Sequence, residues 1–522
     1  MKAGGGKVLA GNISGIRRAG RAALRASLLT ALAFDAGAQA DPRDMAQAAR
    51  QAMAEQRFGK AAEIYTELAG RFPNEPALLA NLGMALHFSG QHAEAIEPLQ
   101  QAAQSMPASF PAHFALGASL SRLGRNAKAI APLRKSTQIN PRDSYAHILL
   151  GETLEAIGEY AESAAAWRTL GRLDATNPQS YAGLVRCNEE LAAAAVDQLR
   201  QLDPESPYLL RILGRTRLAA RQYPSALYLF RSALEKQPGV RAVHEAVAAV
   251  YEGAGQPEWA QIERAKAASL PEPDCAAEAS AECDFAAGRF DRAASLPKDS
   301  SPAGLFWAAR SYAGLAAQAF EKLTSLPESI EKLTLVADVL AAQGQFSRAA
   351  DTCRRAVRIG NGSERLERQL AELLYLAKRT KEAMPLLRRF HAADPSDPRW
   401  GAMLGNLLAE EQEYAEAIPL LRSSLALPGA PASVQPDLGR SYLALGQAEE
   451  ALPHLQASLG LDSDGSIHYQ LAQALQRLER REQAREALAQ YQALNARFQQ
   501  EIEAGSALEI TPPKVSVREG HN

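Results

Sequence analysis

Apolar positions along this chain fall at i, i+3, i+4 and i+7 and restart every 34 residues. Between Ala80 and Pro141 one pattern is printed twice. Leu82, Gly83, Leu86, Gly90, Ala95, Leu99 and Pro107 return as Leu116, Gly117, Leu120, Gly124, Ala129, Leu133 and Pro141. The spacing within each copy places the apolar residues on one face of a helix, and a fixed period near 34 marks stacked helical hairpins. Gly83 and Gly117 stand where a second helix must approach closely, with Ala95 and Ala129 as the small residues across the crossing. Gly90 and Gly124 end the first helix, where a left-handed cap is least costly for glycine. Pro107 and Pro141 punctuate the exit from the second.

The register extends in both directions. Met45 to Pro73 is a weaker first unit, with Ala49 in place of the crossing glycine and Gln56 in place of the helix-ending one. Leu150, Gly151, Leu154, Gly158 and Trp167 carry the fourth unit, and Leu213, Gly214, Tyr223, Ala226 and Phe230 a later one. Gln179 to Pro204 is too brief for two full helices with a normal turn, and Ala303 to Pro327 is another short unit. Pro271, Pro273, Pro297 and Pro302 bracket a degraded piece, either a joint between two arrays or an irregular repeat. A second clean run follows, in which Ala337, Ala371, Gly405 and Gly439 lie 34 apart, as do Ala349, Ala383, Ala417 and Ala451. The last helix continues through Tyr491, Leu494, Phe498 and Ile502 at helical spacing, as a solenoid end requires.

These residues resemble the tetratricopeptide repeat family. The resemblance implies an all-α, right-handed superhelical solenoid of about 12–13 helix-turn-helix repeats with a C-terminal capping helix. The expected organisation is a signal peptide over 1–40, an N-terminal array over 41–271, a degenerate repeat or joint over 272–302, a C-terminal array with its capping helix over 303–505 and a disordered tail over 506–522.

Charge and composition narrow the function classes. Residues 1–34 hold six basic residues and no acid, followed by the short apolar run Ala26 to Phe34 and then Ala38-Gln39-Ala40. A basic start, a short apolar core and a small-x-small site make a secretory signal peptide and place the mature chain in a secreted or periplasmic setting. The alternative is a cytoplasmic chain with a disordered basic leader. Removing residues 1–40 moves the net charge from −2 to −7, which argues against nucleic-acid binding. No apolar run reaches transmembrane length. Of the four cysteines, Cys275 and Cys283 would stand about 12 Å apart on one helix, beyond disulfide reach. Together with Cys187 and Cys353 they are expected as small buried residues at helix interfaces, with a disulfide after local unwinding as the alternative.

Catalytic motifs fail on inspection. Gly4-Gly5-Gly6-Lys7 lacks the Ser or Thr and the preceding strand of a phosphate loop, and His244-Glu245 has Ala248 where a zinc-protease helix needs its second histidine. Asp462-Ser463-Asp464-Gly465 lacks the closing glutamate of a calcium loop, so a helix cap explains it better. His113, His147, His244 and His468 share one repeat slot, and stacked repeats hold them too far apart to meet on one metal. No catalytic, cofactor or metal site is expected.

What remains is surface. In the family it resembles, first helices line a concave groove that holds an extended or helical peptide. Carried over position by position, the resemblance implies a lining of Met84, His87, Phe88, Phe114, Tyr145, Glu152 and Glu155 in the early repeats. The middle repeats supply Tyr208, Arg211 and Arg215, and the late ones Arg365, Arg368, Tyr375, Arg399, Asn406, Arg440 and Tyr469. Arginine with tyrosine is the usual make-up of a binding hot spot, and the late arginines would suit carboxylates or other anions. The plain alternative is that these are solvated helix residues paired with nearby glutamates. The chaperone-tail clamp known in this family is not matched, since Phe114 and Ala118 occupy two of its places. The expected function is a non-catalytic protein-interaction scaffold with protein or peptide partners, acidic segments among them. An envelope or polysaccharide-assembly accessory that binds an anionic glycan or recruits a synthase is the alternative.

Overall fold

The structure is a computed structural model, and it describes residues 41–272, 275, 280–295, 301–506 and 509–513. The expected leader over 1–40 lies outside the described residues. All regular structure among the described residues is helical, in 26 α-helices. Two compact units divide the chain, Met1–Gly183 and Leu184–Asn522. The division falls inside a helix, α9 (Pro178–Leu202).

The first unit begins with four hairpins. They are α1 and α2 (Pro42–Ala54, Phe58–Arg71), α3 and α4 (Pro76–Phe88, His92–Ser105), α5 and α6 (Phe110–Arg122, Asn126–Ile139), and α7 and α8 (Ser144–Glu155, Tyr160–Leu173). Gly90, Gly124 and Gly158 all take positive φ just after their first helices. The same slot is filled by Gln56, at φ 58°. The crossing glycines serve close approach: a Cβ on Gly117 would lie 2.5 Å from Cγ of Leu133. The residue that enters the notch is thus a leucine sixteen positions on, while Ala95 and Ala129 are buried beside it. In the fourth hairpin Trp167 replaces that leucine, and its larger ring presses on both Gly151 and Gly183.

The two short units each form one long helix. Helix α9 spans Pro178–Leu202, and α16 spans Pro302–Ser325. Between them lie α10 and α11 (Pro207–Ala219, Tyr223–Lys236), α12 and α13 (Arg241–Gly253, Pro257–Ser269), and a miniature hairpin, α14 and α15 (Ala281–Ala286, Phe290–Ser295). After α16 the regular hairpins resume: α17 and α18 (Ile330–Ala342, Phe346–Ile359), α19 and α20 (Glu364–Leu376, Thr380–Ala393), and α21 and α22 (Pro398–Glu410, Tyr414–Leu425). Then come α23 and α24 (Val434–Ala444, Ala448–Ala457), and α25 with the long capping helix α26 (Ser466–Arg477, Arg481–Ser506).

Two expectations are corrected. Cys275 and Cys283 form a disulfide, with their Cα atoms 5.4 Å apart. The distance argument assumed a shared helix, but Ser280 caps α14 and leaves Cys275 outside it, free to fold back. Cys187 and Cys353 remain buried thiols, and burial pushes Cys353 up to about 12. The tail is also ordered in part, because Ile510 to Pro513 lie against α11 and α12. No helix among the described residues is long and apolar enough to cross a membrane.

Candidate functional site

The first helices of the second, third and fourth hairpins present one concavity in the first unit. It has a volume of about 460 Å³ and is lined by His87 and Phe88 of α3, Phe110, Phe114, Ala118 and Arg122 of α5, and Tyr145, Ile148, Leu149 and Glu152 of α7, with Asp143 at the edge. Five of the sequence-derived candidates, His87, Phe88, Phe114, Tyr145 and Glu152, therefore meet in one place. Met84 does not line it and packs against the core instead. Glu155 accepts a hydrogen bond from Trp167 Nε1 at 2.6 Å and belongs to the hairpin interior.

The lining is aromatic and partly open. Phe88 is 52% exposed and Tyr145 76%, values far above what a ring with a packing role needs. Phe110 stacks on Phe114 with centroids 5.6 Å apart, and Phe88 lies 5.2 Å from Phe58 and 5.1 Å from His87. Arg122, Asp143 and Glu152 set charge at the rim. Burial first, then the neighbouring His92 and Arg122, lower His87 to about 4, so its ring is neutral at physiological pH. Sequence missed Phe110, which stands one helical turn before Phe114, and Arg122.

In the second unit most of the late candidates are engaged, chiefly with neighbouring acids. Tyr375 Oη donates to Asn406 Oδ1 at 3.0 Å, Asn406 Nδ2 to Asp437 Oδ2 at 2.8 Å, and Arg440 to Asp437 Oδ1 at 2.8 Å. Arg368 pairs with Glu364, and Arg399 with Glu372 and Asp397. Arg365 is exposed, and the Tyr469 ring lies tilted against Tyr491, centroids 5.1 Å apart.

The middle arginines stand differently. Arg211, on α10, is buried with its guanidinium 4.2 Å from the Phe306 ring and 5.5 Å from Tyr208. Arg310, on α16, lies 4.1 Å from the Phe285 ring and 5.6 Å from Phe306. Burial, then the charges of Arg215 and Arg211, lower Arg310 to about 9. Arg215 is exposed. Among the described residues no carboxylate forms an ion pair with any of the three.

The shared histidine slot has a structural use. His113, His147 and His244 each donate from Nε2 to the carbonyl of the proline six residues earlier, Pro107, Pro141 and Pro238, at 3.2, 2.9 and 3.2 Å. His468 bonds Asp462 at the same separation. No group of three potential metal ligands converges among the described residues.

Geometry of this kind defines a helical-repeat interaction scaffold. Two family models, both described as tetratricopeptide repeat, match residues 52–120 and 340–407, and 114–178 and 190–240. The matched stretches are tetratricopeptide repeats. Similar solved structures include the anaphase-promoting-complex hetero-tetramer Cut9–Hcn1, at 16% identity, TM-score 0.30 and coverage of 88% of this chain and 94% of that one. A tetratricopeptide repeat protein from Parabacteroides merdae matches at 14% identity and TM-score 0.27 over 64% and 98% of the two chains. MamA matches at 16% and 0.23 over 44% and 95%. No curated protein matches the sequence at a significant level.

Proposed function

We propose that the chain is a non-catalytic scaffold whose first unit holds an extended peptide segment, anchored by an apolar side chain in the concavity of α3, α5 and α7. The exposed rings of Phe88 and Tyr145 at its mouth carry this reading. Aromatic rings offer large contact area at small entropic cost, which is why they concentrate at binding hot spots. The rim charges of Arg122, Asp143 and Glu152 would set the register of the bound segment. The basic and then apolar leader, together with the Cys275–Cys283 disulfide, supports a secreted or periplasmic setting, where disulfides persist.

A photo-crosslinking amino acid placed at Tyr145 in the native host tests the site. The expected result is a discrete adduct with a polypeptide, at least tenfold reduced by Phe88→Ala with Phe114→Ala. An adduct pattern unchanged by the double variant would remove the concavity from the function.

A further inference from the structure

We propose that α11 and α12 form a second peptide-binding site, one that recognises an extended segment of the type branched-apolar, Thr, Pro, Pro, and that the chain's own Ile510 to Pro513 occupies it as a tethered ligand. The site lies in the second unit and owes nothing to the concavity of the first.

The occupant has the chemistry of a ligand. Thr511 and Pro512 each precede a proline, which holds both in the extended range, and Pro512 and Pro513 have no N–H to donate. Such a segment cannot satisfy its carbonyls by local structure, so donors must come from elsewhere. They come from two side chains. Arg231 donates to the carbonyls of Thr511 at 2.9 Å and Pro512 at 2.6 Å and also bonds the Thr511 hydroxyl. Tyr251 donates from its hydroxyl to the Thr511 carbonyl at 2.8 Å. Arg231 also donates to the Tyr251 oxygen at 2.7 Å, fixing the pair before any segment arrives.

The remainder is shape. Ile510 enters an apolar cluster edged by Leu218, Tyr223, Leu234, Val240 and Trp259, and Pro513 is buried. Thr511 and Pro512 face solvent, so the segment lies on the surface and can leave without opening the core. Aromatic walls with polar donors aimed at the carbonyls of a proline-containing strand are a recurring way to hold extended peptides. The contact spans about 280 residues of sequence, yet α26 ends at Ser506, only a few residues before Ile510. A short tether gives a high effective concentration. The tail is therefore a competitor that any outside segment of the same type must displace.

The test uses the full chain and a labelled synthetic peptide, Ser-Ala-Leu-Glu-Ile-Thr-Pro-Pro-Lys-Val-Ser, read by fluorescence anisotropy. The tail is released in place by Ile510→Ser with Pro512→Gly and Pro513→Gly. The expected result is that the released variant binds the peptide at least tenfold more tightly than the wild type, and that adding Arg231→Ala removes this binding while circular dichroism stays unchanged. Tyr251→Phe, which keeps the ring, should weaken binding by a smaller factor. Absence of binding to the released variant, or equal binding with and without Arg231, overturns the site. Equal binding by wild type and released variant, or a concentration-dependent dimer lost on release, overturns occupancy by the chain's own tail.

Discussion

Nδ1 of His87 lies 2.9 Å from Oγ of Ser119, bonding the first helices of two adjacent hairpins. Burial and the cations around it keep this histidine neutral down to about pH 4, against an ordinary value of 6.5. The unfolded chain binds this proton near pH 6.5, while the folded chain takes it only near pH 4. Stability is therefore full above 6.5 and falls as the pH drops through that window, by up to about 3 kcal/mol. Urea unfolding between pH 7 and 4.5 should show this slope in the wild type and a shallower one in His87→Gln. Parallel slopes would sink the assignment.

Close approach at the crossing glycines predicts a specific cost. Gly117→Ala should destabilise the first unit by about 1–3 kcal/mol, since its new methyl group meets Leu133 Cγ at 2.5 Å and the Ala129 carbonyl at 3.3 Å. Leu133→Ala alone leaves a cavity and costs about 2–5 kcal/mol. The pair should be less harmful than the sum, because each change relieves the other. Strict additivity in denaturant titrations would show that the notch is not where the strain arises.

Three arginines without an ion-paired carboxylate among the described residues should make the second unit sensitive to salt. Raising sodium chloride from about 0.05 to 0.5 M screens the repulsion of Arg310 by Arg215 and Arg211, each of which acts on it more strongly than the opposing Glu282. The wild type should gain melting temperature relative to Arg310→Met, whose apolar chain keeps the contact with Phe285. Replacing a partly buried charged group by an apolar residue of similar size is often neutral or stabilising, so this variant is expected to fold. Equal salt responses would show that the three charges do not act together.

The hairpins were legible in sequence because close packing restricts what a position can hold. A methyl group at Gly117 or Gly151 meets Leu133 or Trp167, so the slot admits only glycine or, as at Ala49, Ala337 and Ala371, alanine. The left-handed slot restricts less: Gln56, Arg221, Lys378, Gln412 and Glu479 all take positive φ where glycine would be expected. The disulfide escaped because it depends on where α14 begins, which a few residues decide. The pairing of the late arginines with nearby acids was legible as the plain alternative, which Arg368 takes with Glu364 and Arg399 with Glu372 and Asp397. The docked tail had no such signal, as nothing periodic links Thr511 to Arg231. In the candidate concavity the aromatic residues were readable by slot, while Phe110 precedes the slot and needed the fold to place it.

The hydrogen bonds that run from Tyr375 through Asn406 and Asp437 to Arg440 join α19, α21 and α23 side by side. In a one-dimensional array, stability is the sum of what each repeat supplies and what neighbours share. A ladder of shared bonds enlarges the second share, so these three hairpins should melt together as one cooperative block. Under load or proteolysis, the end of this chain would give way in a single step where plainer repeats would peel off one at a time.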